Sequence, residues 1–276
     1  MVCYTNISHN YFMEQLLQSI YRFLRSLPII GSLVKSLRDL YHHPALENRR
    51  LRKRDIARAH TELTNFFGTD SPAHQYLEEF IGSATFKQSY SFGYSGDFDV
   101  FMLHTLTRMQ VPEVIVETGV ASGRSSAAIL DALEKNGKGK LYSIDLPLFF
   151  DASGPERFTT HEGNSELTGF VPQGKEPGWL IPDHLRPRWE LILGDSNVEL
   201  PKLLARLPVV DIFYHDGDHS YETMSYEFKT LWEKIPVDGF LFSDDTKWND
   251  AWKEFVARHP ECPNFVYRSL GIIRKQ

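Results

Sequence analysis

The sequence predicts an α/β fold: a doubly wound, mostly parallel seven-stranded sheet with an antiparallel edge strand, behind an N-terminal helical extension. Three observations predict it. Short apolar runs each end in a polar or glycine-bearing turn and give way to a stretch of helical period. The closing segment "NFVYRSLGIIRK" reads as two short strands joined tightly, which sets an antiparallel pair at one edge. Residues 10–67 carry a helical pattern with no strand among them. Strands that alternate with helices pair in parallel and bury both sheet faces.

In the extension, "YFMEQLLQSIYRFLRSL" places Phe12, Leu16, Ile20, Phe23 and Leu27 on one stripe. Pro28 and Gly31 interrupt it, "SLVKSLRDLY" resumes it, and "ENRRLRKRDIARAHTELTNFF" forms a basic, then apolar, helix. The division expected is 1–85 for the helical extension and 86–276 for the α/β domain. The extension is expected to pack on that domain or to pair subunits into a homo-oligomer; a second reading of residues 10–60 is a basic amphipathic segment touching anionic lipid. The aromatic stretch "FKQSYSFGYSGDFD" is a candidate lid.

The α/β part runs as follows. "FDVFMLHTLTRMQ" is a helix, "EVIVETGV" the first strand, and "GRSSAAILDALEKNG" a helix with a glycine stop. "KLYSIDL" is the second strand. Residues 147–188 are rich in Gly, Pro and charge and read as a long loop above the strand ends. "WELILGD" is the third strand, with Ser196 the expected N-cap of the helix after it. "VVDIFYHDG" is the fourth strand, followed by helix "SYETMSYEFKTLWEKI"; "GFLFSDD" is the fifth, followed by helix "KWNDAWKEFVARH".

Composition narrows the function. With 276 residues and 42% hydrophobic content, the chain can bury a sizeable core. Residues 1–60 hold ten Lys/Arg against four acids, a net of +6, while the whole chain is −6, so the remainder carries −12. An acidic main body argues against a nucleic-acid partner. Cys3 and Cys262 lie far apart, so no disulfide framework is expected and a cytoplasmic location is the default. No run approaches the ~20 apolar residues of a membrane span.

In such a sheet, ligands sit outside the carboxyl ends of the strands, where the strand order reverses. The polar residues there are Glu117 and Gly119, then Asp145, Asp195, Asp216, and finally Asp244 with Asp245. A dinucleotide turn wants G-x-G-x-x-G, so that backbone amides approach a pyrophosphate. Here the pattern is Glu117-x-Gly119-x-x-x-Gly123, with an acid where a pyrophosphate would be repelled. The acid favours a cationic ligand without phosphate, and Asp145 is placed to accept from ribose hydroxyls. S-adenosylmethionine has both properties.

"VETGVASGRSS", "YSIDL", "LILGDS", "DIFYHDGDHSYE" and "GFLFSDDT" resemble the successive motifs of class I S-adenosylmethionine-dependent methyltransferases, nearest the metal-dependent O-methyltransferases of the catechol and macrolide-sugar types. The resemblance covers about residues 90–276. It implies a Rossmann-like methyltransferase sheet. It also implies that Glu117, Gly119, Ser122, Gly123 and Ser125 form the methionine and ribose turn, that Asp145 holds the ribose, and that Asp195 and Ser196 lie near the adenine. Asp216, Asp244 and Asp245 align with the ligands of Mg²⁺ or Mn²⁺; the catechol type commonly has Asp-Asn at the fifth strand, and this chain has Asp-Asp. The expected reaction is metal-assisted methyl transfer to a hydroxyl of a small molecule or saccharide. Asp216 binds at the centre and His219, three residues on, acts as general base with an ordinary pKa near ~6.5. His215 should point to the other side of the strand, and Asp218 and Tyr221 orient His219 or cap the next helix. Two other readings stand beside this one: an inactive nucleoside-binding scaffold, and a nicotinamide-dependent oxidoreductase, which the missing third glycine disfavours.

Overall fold

The structure, a computed structural model, describes residues 53–67, 72, 75–76, 79–80, 95–147, 149–151, 154–155, 158–159, 166–167, 171–172 and 174–276. All of them belong to one compact unit, Arg50–Gln276. The helices expected before residue 53, their lipid-facing or subunit-pairing role, and stretch 86–94 of the candidate lid lie outside the described residues.

Seven strands form one sheet: β1 (Val114–Thr118), β2 (Lys140–Asp145), β3 (Trp189–Leu193), β4 (Ile212–His215), β5 (Phe240–Ser243), β6 (Asn264–Tyr267) and β7 (Leu270–Arg274). Their order is β6-β7-β5-β4-β1-β2-β3. β1 pairs in parallel with both β2 and β4, so the chain turns outward in opposite directions from it. β7 runs antiparallel between β5 and β6. The order reverses at β1, and in open sheets of this kind ligands bind outside the strand ends at such a reversal.

Both faces are covered because each strand carries apolar side chains on both sides. Ile115, Tyr214, Phe240 and Phe242 face α1 (Lys53–Phe67), α2 (Asp97–Gln110) and α3 (Arg124–Asn136). Their strand neighbours Val116, Phe213 and Leu241 face α4 (Ser196–Arg206), α5 (Tyr221–Lys234) and α6 (Ala251–Ala257). Helix α1 lies on the first face, with the Phe66 ring edge-on to Phe240 at 5.6 Å. α3 ends at Gly137, in the left-handed conformation expected of a glycine stop.

Three local expectations are corrected. Asp195, not Ser196, caps α4: its carboxylate accepts from the Asn197 amide at 2.8 Å. The last helix begins at Ala251 rather than Lys247: Asp250 is its N-cap, and the Asn249 side chain before it accepts from the Ala251 amide at 2.8 Å. Segment 147–188 is not loop alone: short strands at Phe149–Asp151, Gly154–Pro155 and Val171–Pro172 form one ribbon, Phe158–Thr159 and Glu166–Leu167 another, and Asp183–Arg188 a 3-10 turn. No helix among the described residues is long and apolar enough to cross a membrane.

The Phe66–Phe240 contact gives a stability test. Phe240→Ala should cost about 3–5 kcal/mol in urea unfolding. Val237→Ala, at a position 65% exposed, should stay within about 0.5 kcal/mol. Equal losses would contradict this assignment of the core.

Candidate active site

The glycine turn after β1 depends on left-handed backbone. Gly119 has φ 85°, Ala121 46° and Gly123 84°. At Gly119 the reason is also contact: a Cβ there would stand 2.0 Å from the Asp216 carbonyl oxygen. A Cβ at Gly123 would stand 2.7 Å from Gly178 Cα. The end of the 147–188 insertion thus rests on the turn, and the Gly178 and Leu180 amides donate to the Ala121 and Ser122 carbonyls at 2.9 and 3.0 Å.

The Glu117 side chain is turned into the fold. It is fully buried, and it accepts from Ser125 at 2.6 Å, Ser126 at 2.6 Å and Ser143 at 2.7 Å. Ser143 in turn accepts from the Trp189 indole at 2.9 Å. The carboxylate therefore fastens α3 and β2 to the end of β1. Burial pushes it up to about 7, against the three hydroxyls, with Asp145 adding a smaller push.

Asp145 closes the turn from β2. One oxygen accepts from the Val120 amide at 3.2 Å; the other is buried without a hydrogen-bond partner. Burial raises its carboxyl to about 6, opposed by the Val120 and Ala121 amides. The Ser122 hydroxyl is likewise buried and unpartnered. A donor and an acceptor left over beside a left-handed turn fit a nucleoside with free hydroxyls. Leu146 and Leu193, 58% and 56% exposed, add apolar surface at the ends of β2 and β3. Asp195 and Ser196 stand at the edge strand, beyond Asp145, and the Asp195 carboxylate is spent on its cap.

The acids at β4 and β5 come together. Asp216 accepts from Tyr214 at 3.0 Å and from Ser95 at 3.2 Å. Burial, then the charge of Asp244, push its carboxyl well above the usual range, and Asp245 adds to this. Asp245, itself left-handed with φ 48°, is raised to about 6 by burial and Asp244. Asp244 accepts from the Asp245 amide at 2.7 Å. Such hard oxygen donors suit a divalent cation chemically. In their present rotamers, no three His, Cys, Asp or Glu side chains among the described residues are grouped to hold a metal ion.

His219 lies between these acids, 3.7 Å from Asp245 and 4.0 Å from Asp216, too far for a hydrogen bond to either. Burial, then the charge of His215, lower its pKa to about 3, with Asp218 partly opposing. The ring is neutral at pH 7, free to accept a proton but a weaker base than an ordinary imidazole. Its carbonyl is held by the Asn249 amide at 2.9 Å. His215 is fully buried and pairs with Glu227 at 2.7 Å, and Glu227 also accepts from Thr118 at 2.8 Å. Asp218 accepts from Ser220 and Thr223, both at 2.8 Å, and Ser220 caps α5.

Sequence reasoning missed Ser95 and Asp99. Both come from the start of α2, where buried Arg124 binds the Ser95 carbonyl and the Asp97 carboxylate. Burial and the charge of Asp244 raise Asp99 to about 7, while the Gly96 amide and Arg268 pull it down. The signal was Arg124 itself, a cation at a helix N-terminus, where the dipole disfavours it unless an acid is near.

The Glu117 environment predicts a pH effect. Between pH 4.5 and 7 the unfolded chain loses this proton and the folded chain keeps it, so stability falls as pH rises. Glu117→Gln should gain on the wild type by on the order of 2–3 kcal/mol across that window, read by urea unfolding. Parallel pH profiles would mean the carboxyl ionises normally in the fold.

Comparison with known proteins agrees with this geometry. Residues 116–246 match the family described as a methyltransferase domain. No curated protein matches the chain. Among solved structures, it is similar to the O-methyltransferase NovP, with 14% identity, 74% of this chain and 99% of that one covered, and a TM-score of 0.54. It is also similar to the O-methyltransferase TomG from Streptomyces achromogenes, involved in tomaymycin synthesis and solved with S-adenosylmethionine (16% identity, 82% and 91% covered, TM-score 0.45). The calicheamicin methyltransferase CalS11 shows 18% identity, 84% and 93% covered, and a TM-score of 0.46. The NovP likeness is one of fold. Residues 116–246 thus match a methyltransferase domain, and the seven-stranded sheet with its reversal at β1 shares its fold with NovP.

Proposed function

We propose that this chain transfers the methyl group of S-adenosylmethionine to a hydroxyl of a small molecule or sugar. The observation that carries the cofactor half is the pair of buried, unpartnered polar atoms, Asp145 Oδ2 and Ser122 Oγ, beside the left-handed turn. Asp145 accepts from a ribose hydroxyl, Ser122 bonds the cofactor's polar end, and Leu146 and Leu193 bracket the purine. Glu117 acts from beneath by fixing the turn. When bound, S-adenosylmethionine supplies an electrophilic methyl on a sulfonium sulfur.

The acceptor half rests on Asp216, Asp245 and His219. Asp216 orients the acceptor hydroxyl, and His219 takes its proton at Nε2, which has no hydrogen-bond partner. Mg²⁺ or Mn²⁺ at Asp216, Asp244 and Asp245 is the finer part of the proposal. Its support is the mutual repulsion that raises Asp216 and Asp245, which a bound cation relieves. The cation would supply charge neutralisation at the acceptor oxygens, and the aspartates must first rotate from their present bonds.

Two measurements test this. Calorimetry should show S-adenosylmethionine binding and no NADH binding, with Asp145→Ala weakening the former by roughly 5–100-fold; the reverse preference would point to an oxidoreductase. With labelled cofactor and vicinal-diol acceptors, His219→Ala should cut turnover by ~10²–10⁴ and leave cofactor affinity near wild type. EDTA should stop transfer without releasing cofactor. Binding with no transfer to any acceptor would favour an inactive scaffold; a loss below about tenfold in His219→Ala would remove the general base, and full activity in EDTA the metal.

A further inference from the structure

We propose that helix α1 is a working part of the acceptor side of the site: buried Asp55 holds the β6–β7 turn at Arg268, and that turn holds the loop bearing Asp244 and Asp245. Asp55 is 0% exposed. Its two oxygens take the Tyr267 hydroxyl at 2.7 Å and the Arg268 guanidinium at 2.7 Å. A carboxylate this deep is tolerable only when paired, so the contact has one well-defined geometry.

The partner turn has an unusual residue at its tip. Tyr267 pairs with Leu270, leaving Arg268 and Ser269 as the two turn residues. Arg268 has φ 58°, a conformation that two-residue hairpins ordinarily give to Asn, Asp or Gly. Such a residue persists where its surroundings over-determine it, and the Asp55 bond supplies that constraint. The next carbonyl, of Ser269, accepts from both the Thr246 amide at 3.1 Å and the Thr246 hydroxyl at 2.7 Å.

Thr246 is buried and directly follows Asp244 and Asp245. One residue further back, Asp245 has the second left-handed side-chain-bearing backbone in this contact, at φ 48°. The space is filled: a Cβ on Gly271 would stand 2.5 Å from the Trp252 ring and 2.6 Å from Thr246. A continuous chain therefore runs from the α1 carboxylate through a guanidinium, a carbonyl and a hydroxyl to Asp245. Asp55 and Arg268 are positioning residues for that loop, whichever acceptor the site takes.

Trp248 reports on the loop. Its amide donates to the Asp245 carbonyl at 2.8 Å, and its ring lies 6.0 Å from His219. The full chain labelled with 5-fluorotryptophan gives a ¹⁹F spectrum in which Trp248→Phe identifies the Trp248 signal. Asp55→Asn and Arg268→Gln should each displace or broaden that signal while those of Trp179 and Trp189 stay in place. Leu63→Ala, which empties buried space in the same helix but leaves the Asp55 bonds, should leave the Trp248 signal where it is. Arg268 is 27% exposed, so Arg268→Gln carries the test should Asp55→Asn fail to fold. A Trp248 signal unmoved in the folded variants, or moved as far by Leu63→Ala, overturns the proposal.

Discussion

The site depends on one close approach. The turn after β1 passes so near the end of β4 that a Cβ at Gly119 would stand 2.0 Å from the Asp216 carbonyl oxygen. Backbone bonds fix the approach from both sides: Asp216 donates to the Thr118 carbonyl at 2.8 Å and Gly119 to the Ile144 carbonyl at 2.9 Å. Because β1 lies between β2 and β4, this places the glycine turn and the acidic corner side by side. Glu117 holds the same junction from below through three serine hydroxyls.

Around that junction the chain concentrates carboxylates where burial makes their charge costly. Asp99, Asp145, Asp216 and Asp245 all have raised pKa values, with burial the largest cause at each. A purely structural surface would spread such groups into water. Perturbed acids gathered at a strand-end crevice are the expected mark of a functional site. The cost is balanced within the fold by fixed donors such as Ser95 and Tyr214, and by cations at the perimeter, Arg124 and Arg268.

Much of this was legible in the residues. The sheet was, since apolar runs bounded by turns report parallel strands directly. Asp145, Asp216, Asp244 and Asp245 were, because a strand end fixes which rim a residue occupies. The role of Glu117 was not, for its partners are spread over the first turn of α3 and a neighbouring strand, and serines in those places read as small spacers. Ser95 lies 121 residues from Asp216, beyond the reach of any local pattern. The lowered pKa of His219 depends on burial and on His215, both properties of the packed state.

Calorimetric titration of S-adenosylhomocysteine into the wild type and Gly119→Ala tests the central claim most directly. An added methyl at φ 85°, pressed against the Asp216 carbonyl, must push the turn and β4 apart. The account predicts at least about a tenfold weaker affinity, the roughly 1.4 kcal/mol that such strain readily exceeds, with the circular dichroism of the fold retained. Wild-type affinity in Gly119→Ala would mean that the ligand does not depend on this turn, and the site would have to be sought elsewhere.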